Sequence, residues 1–190
     1  MSEVKTDKLS PRTASGTLTL GTSGDTFSIP SGVTLSNSGT ASGFGVSNDF
    51  VFVKRSTDQS LSANTVTKVQ FDSEIYDSNN WFDSSTNYRF QPDSAGNYLC
   101  FANISISNAY HANQPFNIFF YKNGSEFLGT TTYHRYDETF MDAFSGVINL
   151  NGSTDYVEVY ARFTQNVTIE SSSTSTTSGT STTAYFVRLT

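Results

Sequence analysis

Two histidines, one cysteine and a trio of acids are the residues of this 190-residue chain best equipped for chemistry. His111 lies in Asn108-Ala-Tyr-His-Ala-Asn-Gln-Pro115 and His134 in Tyr133-His-Arg-Tyr-Asp-Glu138. A zinc site draws on pairs of His and Cys at close spacing, and no such pair occurs. Cys100 sits inside an alternating apolar run, where a free thiol behaves as a small buried hydrophobe. Asp137, Glu138 and Asp142 could offer oxygens to Ca²⁺, although a short acidic run reads first as a solvated loop. There is no Gly-x-Ser-x-Gly elbow. No two carboxylates suggest the fixed separation that glycoside cleavage needs. The expectation is a protein that is not an enzyme and holds no metal or cofactor.

Composition narrows the partners. Charged residues make up 15% of the chain and aromatics 14%, with net charge −6. That balance gives no basic footprint for nucleic acid, and an anionic membrane surface would repel it. No apolar run approaches the length of a membrane span. A single cysteine rules out an intrachain disulfide, and Met1-Ser-Glu-Val-Lys-Thr-Asp-Lys has no apolar core of a signal peptide. The expected origin is a reducing host cytoplasm, with the protein leaving as part of a particle. Asn-x-Ser/Thr sequons at Asn103, Asn123, Asn151 and Asn166 carry no weight in so Ser/Thr-rich a chain.

The elements that must position these residues are strands. Low charge with many aromatic and β-branched residues favours them, and no segment reads as a helix. Residues 1–15 are polar and aperiodic and read as an extended anchoring arm. Residues 16–49 form a Gly/Ser/Thr-rich stretch. In it the apolar pairs Leu18/Leu20, Phe27/Ile29 and Val33/Leu35 could each point inward from one very short strand. So thin a segment cannot bury both faces alone, but three copies around an axis could, which predicts a β stalk. Residues 50–190 read as one head domain. Strands are expected over 50–55, 65–71, 97–107, 116–122, 125–128, 140–150, 155–163 and 184–189, with a long polar connection over 72–88 carrying Trp81. Asn123-Gly124 and Asn151-Gly152 each read as a type I′ hairpin turn. Tyr98, Cys100, Ala102, Ile104 and Ile106 should share a buried face. Residues 171–183 hold only Ser, Thr and Gly, and read as a loop or an exposed extension.

Several strands are apolar on both sides. Phe119 and Tyr121 back Phe116, Ile118 and Phe120; Tyr156 and Tyr160 back Val157 and Val159. One side makes the core, and a symmetric oligomer is the simplest cover for the other.

A spacing pattern runs through the middle of the head. Phe71 precedes Asp77 by six residues, and Phe82 follows five later; Phe90 precedes Gly96 by six, with Tyr98 two beyond. This resembles the signature of the globular head of complement component one-q, a jelly roll shared with tumour necrosis factor. Cys100 and Ala102 stand where that signature has aromatics. The resemblance implies an all-β, ten-strand antiparallel jelly-roll sandwich that assembles as a homotrimer. The N-terminal stretch is also similar to segments of virion fibre proteins from marine bacteriophages.

These readings together give an expected function. The chain is a virion fibre or spike protein, anchored to another virion protein through residues 1–15, whose trimeric head binds a host-surface receptor, a glycan or a protein. The competing expectation is a capsid or tail decoration protein that braces the particle. In an up-and-down sandwich alternate connections share an end. The distal ones should be residues 56–64, 107–115, 133–139 and 165–183. Together they offer Tyr110, His111, Asn113, Tyr133, His134, Arg135 and Tyr136, aromatic faces beside amide and guanidinium donors that suit a sugar.

Overall fold

The computed structural model describes residues 10–11, 17, 19, 21–34, 36, 49–106, 111–135, 140–171 and 182–189. The chain divides into two units, residues 1–45 and 46–190.

In the first unit the described residues form turns and no strand. The Asp25 carboxylate accepts from the Thr22 N–H at 2.7 Å, and Val33 N–H closes a turn onto the Pro30 carbonyl with Gly32 at φ +84. That left-handed third position is the one a type II turn gives to glycine. Phe27 and Val33 stay 67% and 60% exposed. The short strands expected at Phe27/Ile29 and at Val33 are therefore not formed by one chain. The reason is physical, since a strand needs a partner for its backbone groups, and among the described residues of one chain no segment pairs with 21–34. Leu18, Leu20 and Leu35 lie outside the described residues.

The second unit is an antiparallel sandwich. Its strands are β1 (Phe50–Lys54), β2 (Gln59–Leu61), β3 (Thr67–Lys68), β4 (Ser73–Asp77), β5 (Phe82–Asp83), β6 (Arg89–Phe90) and β7 (Ala95–Ser105). They continue with β8 (Pro115–Lys122), β9 (Ser125–Tyr133), β10 (Met141–Asn151), β11 (Val157–Phe163), β12 (Val167–Ile169) and β13 (Thr183–Arg188). The first sheet runs β10-β7-β13-β1-β4, and the second β5-β6-β11-β8-β9 with β3 also on β11. β12 and β2 form a small separate ribbon. The jelly roll expected from the sequence is the fold observed. Several of its strands are only two or three residues long, too short for alternation to announce them.

The core forms where the pattern required it. Tyr98, Cys100 and Ala102 are fully buried and Ile104 and Ile106 are 1% exposed. They face Phe116, Ile118 and Phe120 from the other sheet, all at 0%. Each Ile and Phe side chain among them contributes about 1.5–3 kcal/mol on burial. The spaced aromatics of the signature meet here. Phe90 stacks on Phe186 at 4.5 Å and lies edge-on to Tyr98 at 5.3 Å. The Asp77 carboxylate accepts the Phe82 N–H at 2.8 Å, which explains an acid five residues ahead of an aromatic.

Three expectations need correction. The connection over 72–88 contains β4 and β5; polar strand residues at a sheet edge hide the period-two signal. Strands β2 and β12 lie within stretches expected to be pure loop. Asn123-Gly124 does close the β8–β9 hairpin, with φ of 53 and 77, but Asn151-Gly152 does not close a hairpin. It carries the chain from β10 in the first sheet to β11 in the second. There Asn151 Oδ1 accepts N–H bonds from Ser153, Thr154 and Asp155, each at 3.0 Å. Gly152 has φ +69, and a Cβ on it would lie 2.1 Å from the Ala95 nitrogen. That glycine is demanded by a close crossing of backbones.

Candidate functional site

Strand β1 carries the chain from Asp49 to Arg55, and several connections gather at the far end of the sandwich. The buried Arg55 holds the base of that end. Its Nε donates to the Thr57 carbonyl at 3.0 Å, and its Nη1 donates to the Gln70 carbonyl and pairs with Asp72 at 3.4 Å. Burial works to raise the Asp72 carboxyl, but bonds from Ser56 N–H and Thr57 Oγ1, with the Arg55 charge, bring it below the usual range.

Hydrogen bonds then tie the loops to one another. The Ser171 N–H donates to Asp58 Oδ1 at 2.8 Å, and the Ala63 N–H to Asn166 Oδ1 at 2.8 Å. The His111 N–H donates to Gln165 Oε1 at 3.1 Å, and the Asn113 N–H to the His134 carbonyl at 2.7 Å. Thus the described parts of the four connections named from sequence do meet at one end. Of the seven residues proposed there, Tyr110 and Tyr136 lie outside the described residues.

The other five differ in what they can offer. Tyr133, the last residue of β9, is 61% exposed, and His111, Asn113 and Arg135 are exposed too. Asn113 takes a left-handed turn at φ 59, a conformation asparagine tolerates. His134 is half-buried. Its ring lies 3.8 Å from Phe140 and 5.6 Å from Phe116, nearly parallel to the Phe140 ring, with Nε2 3.8 Å from an Asp142 oxygen. No local pattern announces this packing, because Phe140 lies just before the next strand and Asp142 within it. Among the described residues no group of His, Cys, Asp and Glu could hold a metal ion. Burial pushes the Cys100 thiol far up, leaving it without the thiolate a nucleophile needs.

A cleft that no sequence pattern announces lies at the opposite end. It has a volume of about 400 Å³ and is bordered by Asn80, Trp81, Arg89, Gln91 and Asp93. Trp81 is 5% exposed and donates its indole N–H to Asp93 Oδ1 at 2.9 Å. The available signal was a lone Trp in a polar stretch, which needs a partner for its N–H when buried.

Comparison with solved structures fits this architecture. Murine APRIL superposes with a TM-score of 0.52 at 14% identity, covering 74% of this chain and 98% of that one. Eiger TNF from S. frugiperda gives 0.52 at 10% identity, covering 74% and 92%. The globular domain of zebrafish complement 1qA gives 0.50 at 12% identity, covering 75% and 98%. The head is thus a jelly roll of the complement-one-q and tumour-necrosis-factor type. No family model and no curated protein matches the chain. At such identities the likeness speaks to fold, and fold does not fix function.

Proposed function

We propose that the protein is a bacteriophage virion fibre or spike whose homotrimeric head binds a host-surface glycan through its distal loops. The observation that carries this reading is the convergence of the connections at the end remote from Asp49, with Tyr133, His111, Asn113 and Arg135 open to solvent on a hydrogen-bonded base. Rigid scaffolds with exposed loops are where binding concentrates. Residues 1–15 anchor the protein to another virion protein, and 16–49 form the stalk. The Phe27 and Val33 side chains left exposed in one chain are what neighbouring copies would cover.

The trimer is held by the outer face of the first sheet. Two rows of cross-strand neighbours run across it: Val147, Leu99, Val187 and Phe50, then Ser145, Phe101, Tyr185, Phe52 and Tyr76. Neither row contains a charge. Aromatic enrichment with depletion of charge marks the centre of protein interfaces.

The test is adsorption to host cells by particles carrying Tyr133→Ala with Arg135→Ala. We expect adsorption to fall by at least tenfold while the head stays folded and trimeric. Unchanged adsorption overturns the receptor-binding reading and leaves the head a brace of the particle.

A further inference from the structure

We propose that the cleft beside Trp81 is a second binding site, one that takes a neutral saccharide. It goes beyond host recognition by the distal loops and lies at the other end of the head. Its volume of about 400 Å³ falls within the ~300–1,000 Å³ of small-molecule sites.

The wall chemistry selects the ligand. Arg89 Cζ lies over the Tyr156 ring, 4.4 Å from its centre, and the side chain makes no hydrogen bond or ion pair among the described residues. A cation–π contact holds the guanidinium at the ring without using its N–H groups, which stay available. Asp83 is its direct partner across the β5–β6 pair and would be expected to neutralise it. Instead Asp83 is spent on its own turn. Its oxygens accept from Thr86 N–H at 2.8 Å, from the Ser85 N–H and Oγ at 3.1 Å each, and from the Asn87 N–H and side-chain amide at 3.1 and 2.7 Å. Five donors exhaust the lone pairs of a carboxylate. These bonds, the Thr86 N–H first, hold Asp83 far below the usual carboxylate range, so it is charged at neutral pH.

Asp93 also borders the cleft; it uses one oxygen for Trp81 and Ser94 and keeps the other as an acceptor. Asn80, held left-handed at φ 55, adds an exposed amide. The cleft thus presents one donor fork, one acceptor oxygen and one amide under a net negative charge, from Asp83 and Asp93 against Arg89. A phosphate, sulfate or uronate would be repelled. Vicinal hydroxyls of an uncharged sugar both accept from the fork and donate to the carboxylate.

Trp81 is the only tryptophan in the chain, so its indole N–H resonance reports on this cleft alone. The full-length protein would be titrated with methyl β-galactoside, methyl α-mannoside and N-acetylglucosamine, with glucuronate as the charged control. We expect a saturable Trp81 shift with at least one neutral sugar and none with glucuronate. Arg89→Ala should weaken that response about tenfold, the loss expected for one charge-assisted hydrogen bond. Asp93→Asn, which retains an acceptor for Trp81, should weaken it similarly. No Trp81 response to any neutral sugar, a response to glucuronate only, or one that survives Arg89→Ala overturns the proposal. Shifts confined to His111 and Tyr133 overturn it too while leaving recognition by the distal loops intact.

Discussion

The outer faces of the two sheets both carry aromatic rows, yet they dispose of them differently. On the second sheet the Tyr160 row is Lys68, Tyr160, Phe119 and Gly129, and the adjoining row holds Glu158, Tyr121 and Glu126. There the chain covers its own rings. Lys68 pairs with Glu158 at 2.5 Å and lies 5.8 Å from the Tyr160 ring centre, and the Phe119 ring lies across the space a Cβ on Gly129 would need. On the first sheet Phe50 stacks on Tyr76 and Phe52 on Tyr185, each at 4.1 Å, and the two central rows hold no charge. The sequence pattern of apolar residues on both sides of a strand points to β8 and β11, in the second sheet. The register offers the first sheet as the face for such cover, in keeping with the trimer proposed above. What separates the faces is the chain's own cations and carboxylates, since the central rings of both are partly buried.

The largest expected effect tests this difference directly. Phe52→Asp or Tyr185→Asp should convert an assembly of three times 20.8 kDa into folded monomer, read by light scattering. Burying a carboxylate in an interface costs several kcal/mol per ion, and a trimer would bury three. Tyr121→Asp, at a site already flanked by Glu126 and Glu158, should leave the mass unchanged. If Tyr121→Asp dissociates the assembly and Phe52→Asp does not, the faces have been assigned the wrong way round.

A smaller effect is expected inside the second sheet. Glu158 is 6% exposed, and Lys68 is its charge partner. Removing one member of a buried pair leaves the other desolvated. Lys68 is itself partly exposed, so Lys68→Ala should destabilise the head by about 1–3 kcal/mol. The readout is the urea midpoint at constant m-value, with the trimer mass unaltered. A midpoint identical to that of the parent would show that this pair contributes nothing to the cover.

What could be read from sequence follows the same line. The alternation of Tyr98 to Ile106, the β8–β9 hairpin at Asn123-Gly124 and the spaced aromatics were legible because each is a local pattern. The role of Asn151-Gly152 was not, because an Asn-Gly pair looks alike whether the flanking strands pair or part to different sheets. Strands as short as β3, β5 and β6 carry no period. The distal gathering of His111, Asn113 and Tyr133 was legible from topology alone. The stacking of His134 was not, and neither was the Trp81 cleft, which assembles from β5, β6 and the 151–156 crossing. In both cases the partners are distant in sequence and make no repeating pattern.

The smallest expected effect is with acid, and it separates fold from assembly. Asp72, Asp83 and Asp155 are all held below the usual carboxylate range. For Asp155 the Asn123 amide is the main cause, followed by Lys122. A carboxylate whose folded pKa is depressed binds fewer protons in the native state than in the unfolded chain. Its contribution is fully present above the unfolded value near ~4 and is lost as pH falls through the folded one. Stability should therefore be flat from pH 7 to about 5 and decline below about 4, followed as thermal midpoint against pH. The two central rows of the first sheet contain no carboxylate, so the proposed trimer would have no charge there to lose. Dissociation on acidification should accordingly coincide with unfolding and not precede it, and added salt at neutral pH should leave the mass unchanged. A folded monomer appearing at pH 5, or in high salt at neutral pH, would mean that charged groups outside these rows hold the copies together.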